Sequence, residues 1–478
     1  LAVILFHRVR RNVSMEKNKL LTVFMAGLAL GVPAEEVRVD FARETGAVLP
    51  LHGVNNAPME HWGKQRAFEA AGIPFCRTHD TAGYYGGAHY IDIPNVFPNF
   101  DADETREESY DFALTDAWLS TVVNAGTEPF YRLGVTIEGG RRKIKAYHIF
   151  PPKDYAKWAR ICERVIRHYT EGWANGKKWK MRYWEIWNEP DNPDMWQGTM
   201  EQFFELYRVA STHLKTCFPH LRIGGYASCG FMELDGPINP LYANGSYLTW
   251  FKSFIDYVNA PGTKSPLDFF SWHIYTDDPE QVAKYARYCR EYLDSHGLGS
   301  TEAILNEWNF INHKKYGREE FELLKEMPGA AFVASVFCLL QRDRTVASTM
   351  YYDALPTRSY CGLFYFPSLK TTPCYEAFRM YNALFRLGAA VQVDFPGTGV
   401  YACAAKGKGG RAAVLLVNNR PQSVSITPVF AGAADAPWRV TRLDSIHPKT
   451  ASGGSWGPGT SLELPSLSLV LLEQGAGR

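Results

Sequence analysis

Two glutamates in this chain of 478 residues stand where a carboxyl group can do proton-transfer or nucleophilic chemistry. Glu189 lies in the stretch Y-W-E-I-W-N-E-P-D-N-P-D-M-W, Tyr183 to Trp196, and Glu307 lies in N-E-W-N, Asn306 to Asn309. Lys180 to Trp187 is rich in large residues that favour a pleated, half-buried surface, and Pro190 cannot continue a central ladder, so Glu189 is expected at a strand's C-terminal end. Ala303 to Leu305 is a second strand-like run, and Glu307 is expected where it gives way to a loop. Two carboxyls at one mouth can cleave a glycosidic bond: one protonates the leaving oxygen, and the other attacks the sugar carbon or activates water. At neutral pH the pair must differ in protonation. Glu189, between Trp187 and Pro190, suits the protonated role. Glu307 suits the ionised one, because Arg77, His273 and Tyr275 are donors at strand ends that would share its mouth.

The two glutamates are 118 residues apart in sequence, and at roughly 30 to 40 residues per strand–helix unit that is about three units of a (β/α)8 TIM barrel. Strand signals occur at Val48 to Val54, Ile73 to Arg77, Glu128 to Leu133, the Glu189 run, Arg222 to Tyr226, Leu267 to His273, the Glu307 run and Thr349 to Tyr352. Helical patterns separate them, among them Met59 to Ala71, Lys153 to Thr170, Met200 to Cys217 and Ala330 to Arg342. Strands alternating with helices make a barrel of residues 48–387. The polar segment Thr81 to Ser109 reads as a loop over the mouth. Beyond Gly388 short apolar runs are separated by Gly, Pro, Asn and Ser turns, so residues 388–478 read as an accessory C-terminal β-sandwich, with residues 35–47 supplying a further strand to it.

Charge and cysteine usage narrow the function. Lys and Arg total 51 against 50 Asp and Glu, which leaves +1 and no general attraction to nucleic acid or an anionic surface. The 13 Trp and 26 Tyr suit stacking on sugar faces, although most belong to a large core. Nine cysteines are scattered without a C-x-x-C pair, against a zinc site or a disulfide framework. No metal and no cofactor is called for. Met15 to Ala34 resembles a secretory leader, with Lys17 and Lys19 before an apolar run too short to span a membrane, so residues 1–34 are expected to be a leader or an extension. Export to the periplasm or the medium is the expectation from that stretch; the unpaired cysteines favour the cytoplasm. Gly453 to Gly457 matches G-x-S-x-G but lacks the strand-to-helix elbow that motif needs.

W-E-I-W-N-E-P-D together with N-E-W-N resembles the retaining barrel glycosidases, and more closely glycoside hydrolase family 39, which includes β-xylosidases and α-L-iduronidases. Arg77-x-His79, Ser271 to Tyr275 and the accessory β domain fit the same layout. The resemblance implies Glu189 as acid/base, Glu307 as nucleophile, net retention, an oligosaccharide substrate and self-association. His52, Asn55, Arg77, His79, Asn188, His273, Tyr275 and Trp308 are then the substrate-binding candidates, with Asn188 donating to a sugar 2-hydroxyl. Phe310, Ile311 and Asn312 after the second glutamate, and Met350 to Asp353 at strand eight, depart from the xylosidase pattern. β-Xylosidase action on xylo-oligosaccharides is the leading expectation. The alternatives are the same mechanism on a β-glucoside, β-galactoside, α-L-arabinopyranoside or α-L-iduronide, or a non-catalytic carbohydrate-binding barrel.

Overall fold

A computed structural model describes residues 35–58, 65–81, 89–136, 148–238, 246–311, 317–357 and 359–475. The leader-like stretch, the first part of the Met59 to Ala71 helix and Asn312 lie outside them. The first elements are β1 (Glu35–Ala47), β2 (Gly53–Asn55), α1 (Gln65–Ala71), β3 (Phe75–Thr78), α2 (Ile93–Val96), α3 (Ala113–Asn124), β4 (Glu128–Leu133), α4 (Tyr155–Thr170) and β5 (Tyr183–Ile186). There follow α5 (Met200–Cys217), β6 (Arg222–Ser228), α6 (Tyr247–Asn259), β7 (Phe269–Tyr275), α7 (Pro279–Ser295), β8 (Glu302–Asn309), α8 (Arg318–Leu323), α9 (Met327–Asp343), β9 (Ser348–Tyr351) and α10 (Pro373–Phe385). The last are β10 (Ala389–Asp394), β11 (Val400–Lys406), β12 (Ala412–Asn418), β13 (Val424–Ala431), β14 (Trp438–Leu443), β15 (Ala451–Trp456), β16 (Leu462–Leu464) and β17 (Ser468–Gln474).

Strands β2 to β9 close into a parallel eight-stranded barrel, the TIM architecture expected from the alternation of strands and helices. Period-two alternation decides what faces inward. Phe75, Phe130, Tyr183, Phe269, Ile304 and Met350 fill the bottom of the barrel as one apolar plug. Their neighbours along the strands, such as Cys76, Trp184, Phe270 and Leu305, face the helices and belong to the main core. On α4 the buried residues Trp158, Ile161, Cys162, Val165, Ile166 and Tyr169 recur at helical spacing, and Asp154 caps the helix by accepting from the Lys157 N–H at 2.9 Å.

At two barrel strands the departure from the expected extent has a visible cause. The run Val48 to Val54 pairs only over Gly53–Asn55, because the Val48 N–H donates to the Gly388 carbonyl and the Leu49 N–H to the Gln341 side chain instead of to a ladder. The Glu307 strand does not end at Leu305 but continues to Asn309. Its register slips by one residue: Trp272 pairs with Leu305, yet His273 pairs with Glu307. This is a β-bulge, which turns a side chain away from strict alternation.

The second, mostly β domain is a continuous nine-stranded sheet in the order β15-β14-β17-β12-β11-β10-β1-β13-β16, where β1 runs antiparallel to β10 and parallel to β13. Alternation divides its central strands between two cores. Tyr401, Cys403, Leu415, Val417, Leu469 and Leu471 join the barrel's main core. Val400, Ala402, Val414, Leu416, Val470 and Leu472 pack with Trp438 and Trp456 in a core of the sheet's own. The nearly unbroken apolar runs of β11, β12 and β17 follow from burial on both faces. Among the described residues no helix is long and apolar enough to cross a membrane.

Candidate active site

Directly above the plug the inward positions become polar. Arg77 of β3, Glu185 of β5, Ser271 of β7 and Asn306 of β8 are all fully buried. Arg77 donates through Nε to Glu185 Oε2 at 2.8 Å, and its Nη2 lies 2.7 Å from the same oxygen. Its Nη1 donates to Asn55 Oδ1 and to Glu307 Oε2, each at 3.1 Å, and its Nη2 also donates to Asn188 Oδ1. Four of the five N–H groups of the guanidinium thereby donate to protein acceptors, and Nη2 stays in ion-pair contact with Glu185. Glu185 is satisfied in turn: its Oε1 accepts from Ser271 Oγ at 2.6 Å and from the Asn306 amide. Such a buried ion pair is tolerable only with its remaining sites occupied, and removing one partner costs about 3–5 kcal/mol.

Glu307 sits on this platform, 6 % exposed. Oε2 accepts from Arg77 and Oε1 accepts from the Tyr275 hydroxyl at 2.6 Å. Burial raises its pKa from the usual glutamate value, and the charge of Glu189 adds to the rise, while His273, Arg77 and Tyr275 oppose it. The donors hold both oxygens in fixed directions, as a nucleophilic carboxylate requires.

Glu189 is reached by a different local structure. After Ile186 the chain reverses: Trp187 has φ 74° and packs outward on Trp158 and Trp196, and Glu189 has φ 44°. The Asn192 N–H donates to the Glu189 carbonyl at 2.9 Å, closing a turn over Glu189, Pro190, Asp191 and Asn192. The Glu189 N–H donates to the Ala227 carbonyl at 2.9 Å, joining that turn to the end of β6. Gly225, at φ 147°, permits this approach, because a β-carbon there would meet the Ile186 carbonyl oxygen at 2.7 Å. The Glu189 side chain is 15 % exposed; Oε1 lies 2.6 Å from His273 Nδ1, and Oε2 accepts from Asn192 Nδ2 at 3.2 Å.

His273 stands between the two carboxyls, with Nδ1 3.8 Å from Glu307 Oε2. Burial pushes its pKa down to about 4, so the ring is neutral near pH 7. One side-chain atom from each of Glu189, His273 and Glu307 lies within 4.8 Å of the others, close enough to share a proton network or a cation. Arg77 already supplies a positive charge to Glu307. Glu163, His213 and Cys217, between α4 and α5, form a second group of comparable proximity.

The structure sorts the remaining candidates. Asn188 is directed by Arg77 on its oxygen, and its Nδ2 meets no acceptor among the described residues, so it is available to a sugar hydroxyl. His79 is nearly buried, with Nδ1 unpartnered, its ring 6.4 Å from Tyr352 and its pKa held well below the usual histidine value by burial first and by Arg77 and Arg132 next. Tyr275, Tyr352 and Tyr360 stand 5.3–6.4 Å apart, ring to ring, as an aromatic wall beside Glu307. Arg77 and Asn55 turn their polar atoms to other residues of the barrel. Arg77 donates four hydrogen bonds within the barrel, and the Asn55 amide donates to the Asn306 and Met350 carbonyls.

Two further candidates lie away from the mouth. His52 lies behind the barrel wall, bonded through Nε2 to the Gly72 carbonyl at 3.1 Å and packed on Tyr381 and Phe385. Trp308 is fully buried against Phe332, Phe337 and Tyr351, because the bulge at Asn306 and Glu307 leaves the next side chain facing α9. The sequence reading passed over Glu185, Ser271, Asn306 and Asp191. Glu185 carried a signal, an acid on the inward face of an otherwise apolar strand, which must have a buried partner.

Residues 73–293 match the family model of glycosyl hydrolases family 39, a span running from just before β3 to the end of α7. Over that span the barrel is similar to family 39. Curated relatives agree at low identity: a β-xylosidase of Geobacillus stearothermophilus is 25 % identical over 42 % of this chain and 37 % of its own length. One of Caldicellulosiruptor saccharolyticus is 29 % identical over 36 % of this chain and 32 % of its own. The chain thus spans about a third of the length of the curated relatives it matches. Among solved structures, a glucosidase from Croceicoccus marinus superposes with a TM-score of 0.72 at 20 % identity, covering 93 % of this chain and 99 % of that one. A β-xylosidase from Caulobacter crescentus, described as monomeric, gives 0.65 at 17 %, covering 92 % and 99 %. At these identities the superpositions establish the shared fold, the barrel with its β domain.

Proposed function

We propose that this family 39 barrel belongs to a retaining glycosidase, and that its substrate is a β-xyloside, cleaved from the non-reducing ends of xylo-oligosaccharides by double displacement. The observation that carries the mechanism is the carboxyl spacing: an oxygen of Glu189 and one of Glu307 lie within 4.8 Å. Retaining pairs are about 5–5.5 Å apart, whereas inverting pairs need about 6.5–9.5 Å to seat a water between base and sugar. The xylosidase reading is supported by the two curated relatives named above.

In this reading Glu307, aimed by Arg77 and Tyr275, attacks the anomeric carbon while Glu189 gives its proton to the departing oxygen. A covalent glycosyl-enzyme results. Glu189, now ionised, takes a proton from water as that water attacks the same carbon, and the sugar leaves with its original anomeric configuration. The free Nδ2 of Asn188 donates to the 2-hydroxyl, a contact that tightens as the ring gains oxocarbenium character. Uncoupled carbohydrate binding has no use for two carboxyls held in unlike surroundings.

The test is hydrolysis of nitrophenyl β-xyloside, β-glucoside, β-galactoside, α-L-arabinopyranoside and a uronide by the purified protein. Preference for the xyloside is expected. Preference for another sugar would keep the mechanism and move the specificity to Phe310, Ile311 and the strand-eight end; saturable binding with no turnover of any glycoside would overturn the reading.

A further inference from the structure

Away from the mouth, the two helices that flank β5 in the chain bring together three side chains of metal-ligating type. His213 and Cys217 stand four residues apart at the C-terminal end of α5, so they share one face of that helix. Glu163 comes from α4. Its Oε2 lies 2.7 Å from His213 Nε2, and the same ring nitrogen lies 3.8 Å from Cys217 Sγ. All three ligand atoms lie within 4.8 Å of one another. Solvent reaches the group: the Glu163 side chain is 14 % exposed and that of His213 31 %. The arrangement carries no C-x-x-C mark, because its third member stands 50 residues before His213.

We propose that Glu163, His213 and Cys217 form a site for a divalent transition-metal ion of the zinc class, which clips α4 to α5. Around a tetrahedral zinc ion, with ligands about 2.0–2.3 Å away, the ligand atoms stand about 3.4–3.6 Å from one another. To reach that spacing the Glu163–His213 pair opens a little and the His213–Cys217 pair closes a little, within the range of side-chain rotation. One nitrogen, one sulfur and one oxygen favour zinc, cobalt or nickel over magnesium and calcium, which take oxygen ligands. Water takes the fourth position on the solvent side. As the metal–sulfur bond forms, the Cys217 thiol gives its proton to solvent, and the imidazole binds through the Nε2 lone pair with its own proton on Nδ1.

The surroundings suit a cation. Arg167, one turn further along α4, donates to Glu163 Oε1 at 2.7 Å and leaves Oε2 for the ion, the kind of outer hydrogen bond that aims a ligating carboxylate. The same guanidinium is paired with Glu171 at 2.5 Å and lies over the Phe218 ring, 5.0 Å from its centroid, so its charge is already answered. Once the thiolate forms, Glu163, Glu171 and Cys217 face Arg167 and a dication, and the charges balance. The end of α5 adds the negative pole of the helix dipole. The group at the mouth differs: Glu189, His273 and Glu307 include no thiol, and Arg77 already donates to Glu307 Oε2.

The test is titration of the purified protein, stripped with a chelator and kept reduced with a phosphine, with cobalt(II) as the spectroscopic stand-in for zinc. One equivalent should give thiolate-to-cobalt absorption in the near ultraviolet together with the visible bands of a four-coordinate ion. Zinc should displace it; magnesium and calcium should not. Cys217→Ser should abolish the near-ultraviolet band, and His213→Ala should weaken binding by about tenfold or more. Glu189→Gln should change neither, which separates this site from the mouth. No thiolate band at saturating cobalt, or a band that persists in Cys217→Ser, would overturn the proposal and leave the three residues as a hydrogen-bonded bridge between helices. Should Cys217→Ser not fold, zinc should protect Cys217 of the wild-type chain from iodoacetamide, as read by peptide mass mapping, and an unchanged rate of alkylation would overturn the proposal equally. Neither readout needs sugar hydrolysis, so the proposed function and this site stand or fall separately.

Discussion

The ends of β5 and β8 each present a glutamate to one mouth, and they do so by opposite means. At β8 the backbone stays in its ladder and a single bulged residue turns Glu307 inward, onto a guanidinium and a phenol that fix both of its oxygens. At β5 the strand stops, the chain turns back through positive φ, and Glu189 hangs from a turn fastened to β6, with histidine and asparagine as its side-chain partners. One carboxyl is held as part of the barrel wall, next to a permanent cation. The other is held on a loop, against the His273 ring and the Asn192 amide. A nucleophile must return to one position with its charge intact, whereas an acid/base must change protonation twice per turnover, and the two surroundings match those demands.

Removing the fixed carboxyl should have the larger effect. Glu307→Gln is expected to lower kcat/KM by something on the order of 10^4-fold or more on every substrate, with no recovery from small anions. Glu189→Ala should cost about 10^2–10^4-fold on poor leaving groups, much less on a dinitrophenyl glycoside, and should recover with azide as a glycosyl azide forms. Equal responses of the two variants to leaving group and azide would erase the distinction between the strand ends.

Tyr275→Phe sharpens the comparison through pH. Glu307 must be ionised to attack, so activity is lost as pH falls through its pKa; since that pKa is raised, the acidic limb should lie above the ordinary glutamate value of 4.5. Tyr275 lowers it, so the phenylalanine variant should move the limb upward and lose about 10- to 100-fold in kcat, as expected for a hydrogen bond to a charge. A limb moved downward would mean that the Tyr275 bond does not favour the ionised form. The smallest effect on catalysis is expected from Trp308→Phe. This residue faces α9, so the change should lower Tm by a few degrees, as a ~1–2 kcal/mol packing loss does, while KM stays unchanged.

Much of this arrangement was legible in the sequence because it follows from periodicity and punctuation. The strand character before Asn188-Glu189-Pro190, the second N-E pair and the alternation of strands and helices lead to one barrel with both glutamates at one mouth. What remained hidden follows from single-residue events. A bulge has no compositional mark, so nothing in N-E-W-N tells that Glu307 and Asn306 both turn inward while Trp308 turns out. His52 precedes a strand that pairs over three residues only, and its outward position depends on backbone bonds from Val48 and Leu49 to distant partners. Glu185 stood within the quoted motif, but its meaning depends on Arg77, 108 residues earlier, lying across the barrel from it.

The most direct test of the two-carboxyl account is trapping with a 2-deoxy-2-fluoro xyloside bearing a good leaving group, followed by peptide mass mapping. The account predicts one stoichiometric label, on the peptide containing Glu307, with loss of activity that recovers as the intermediate turns over. A label on Glu189 or elsewhere, or turnover without a label to a product of inverted configuration, would contradict it.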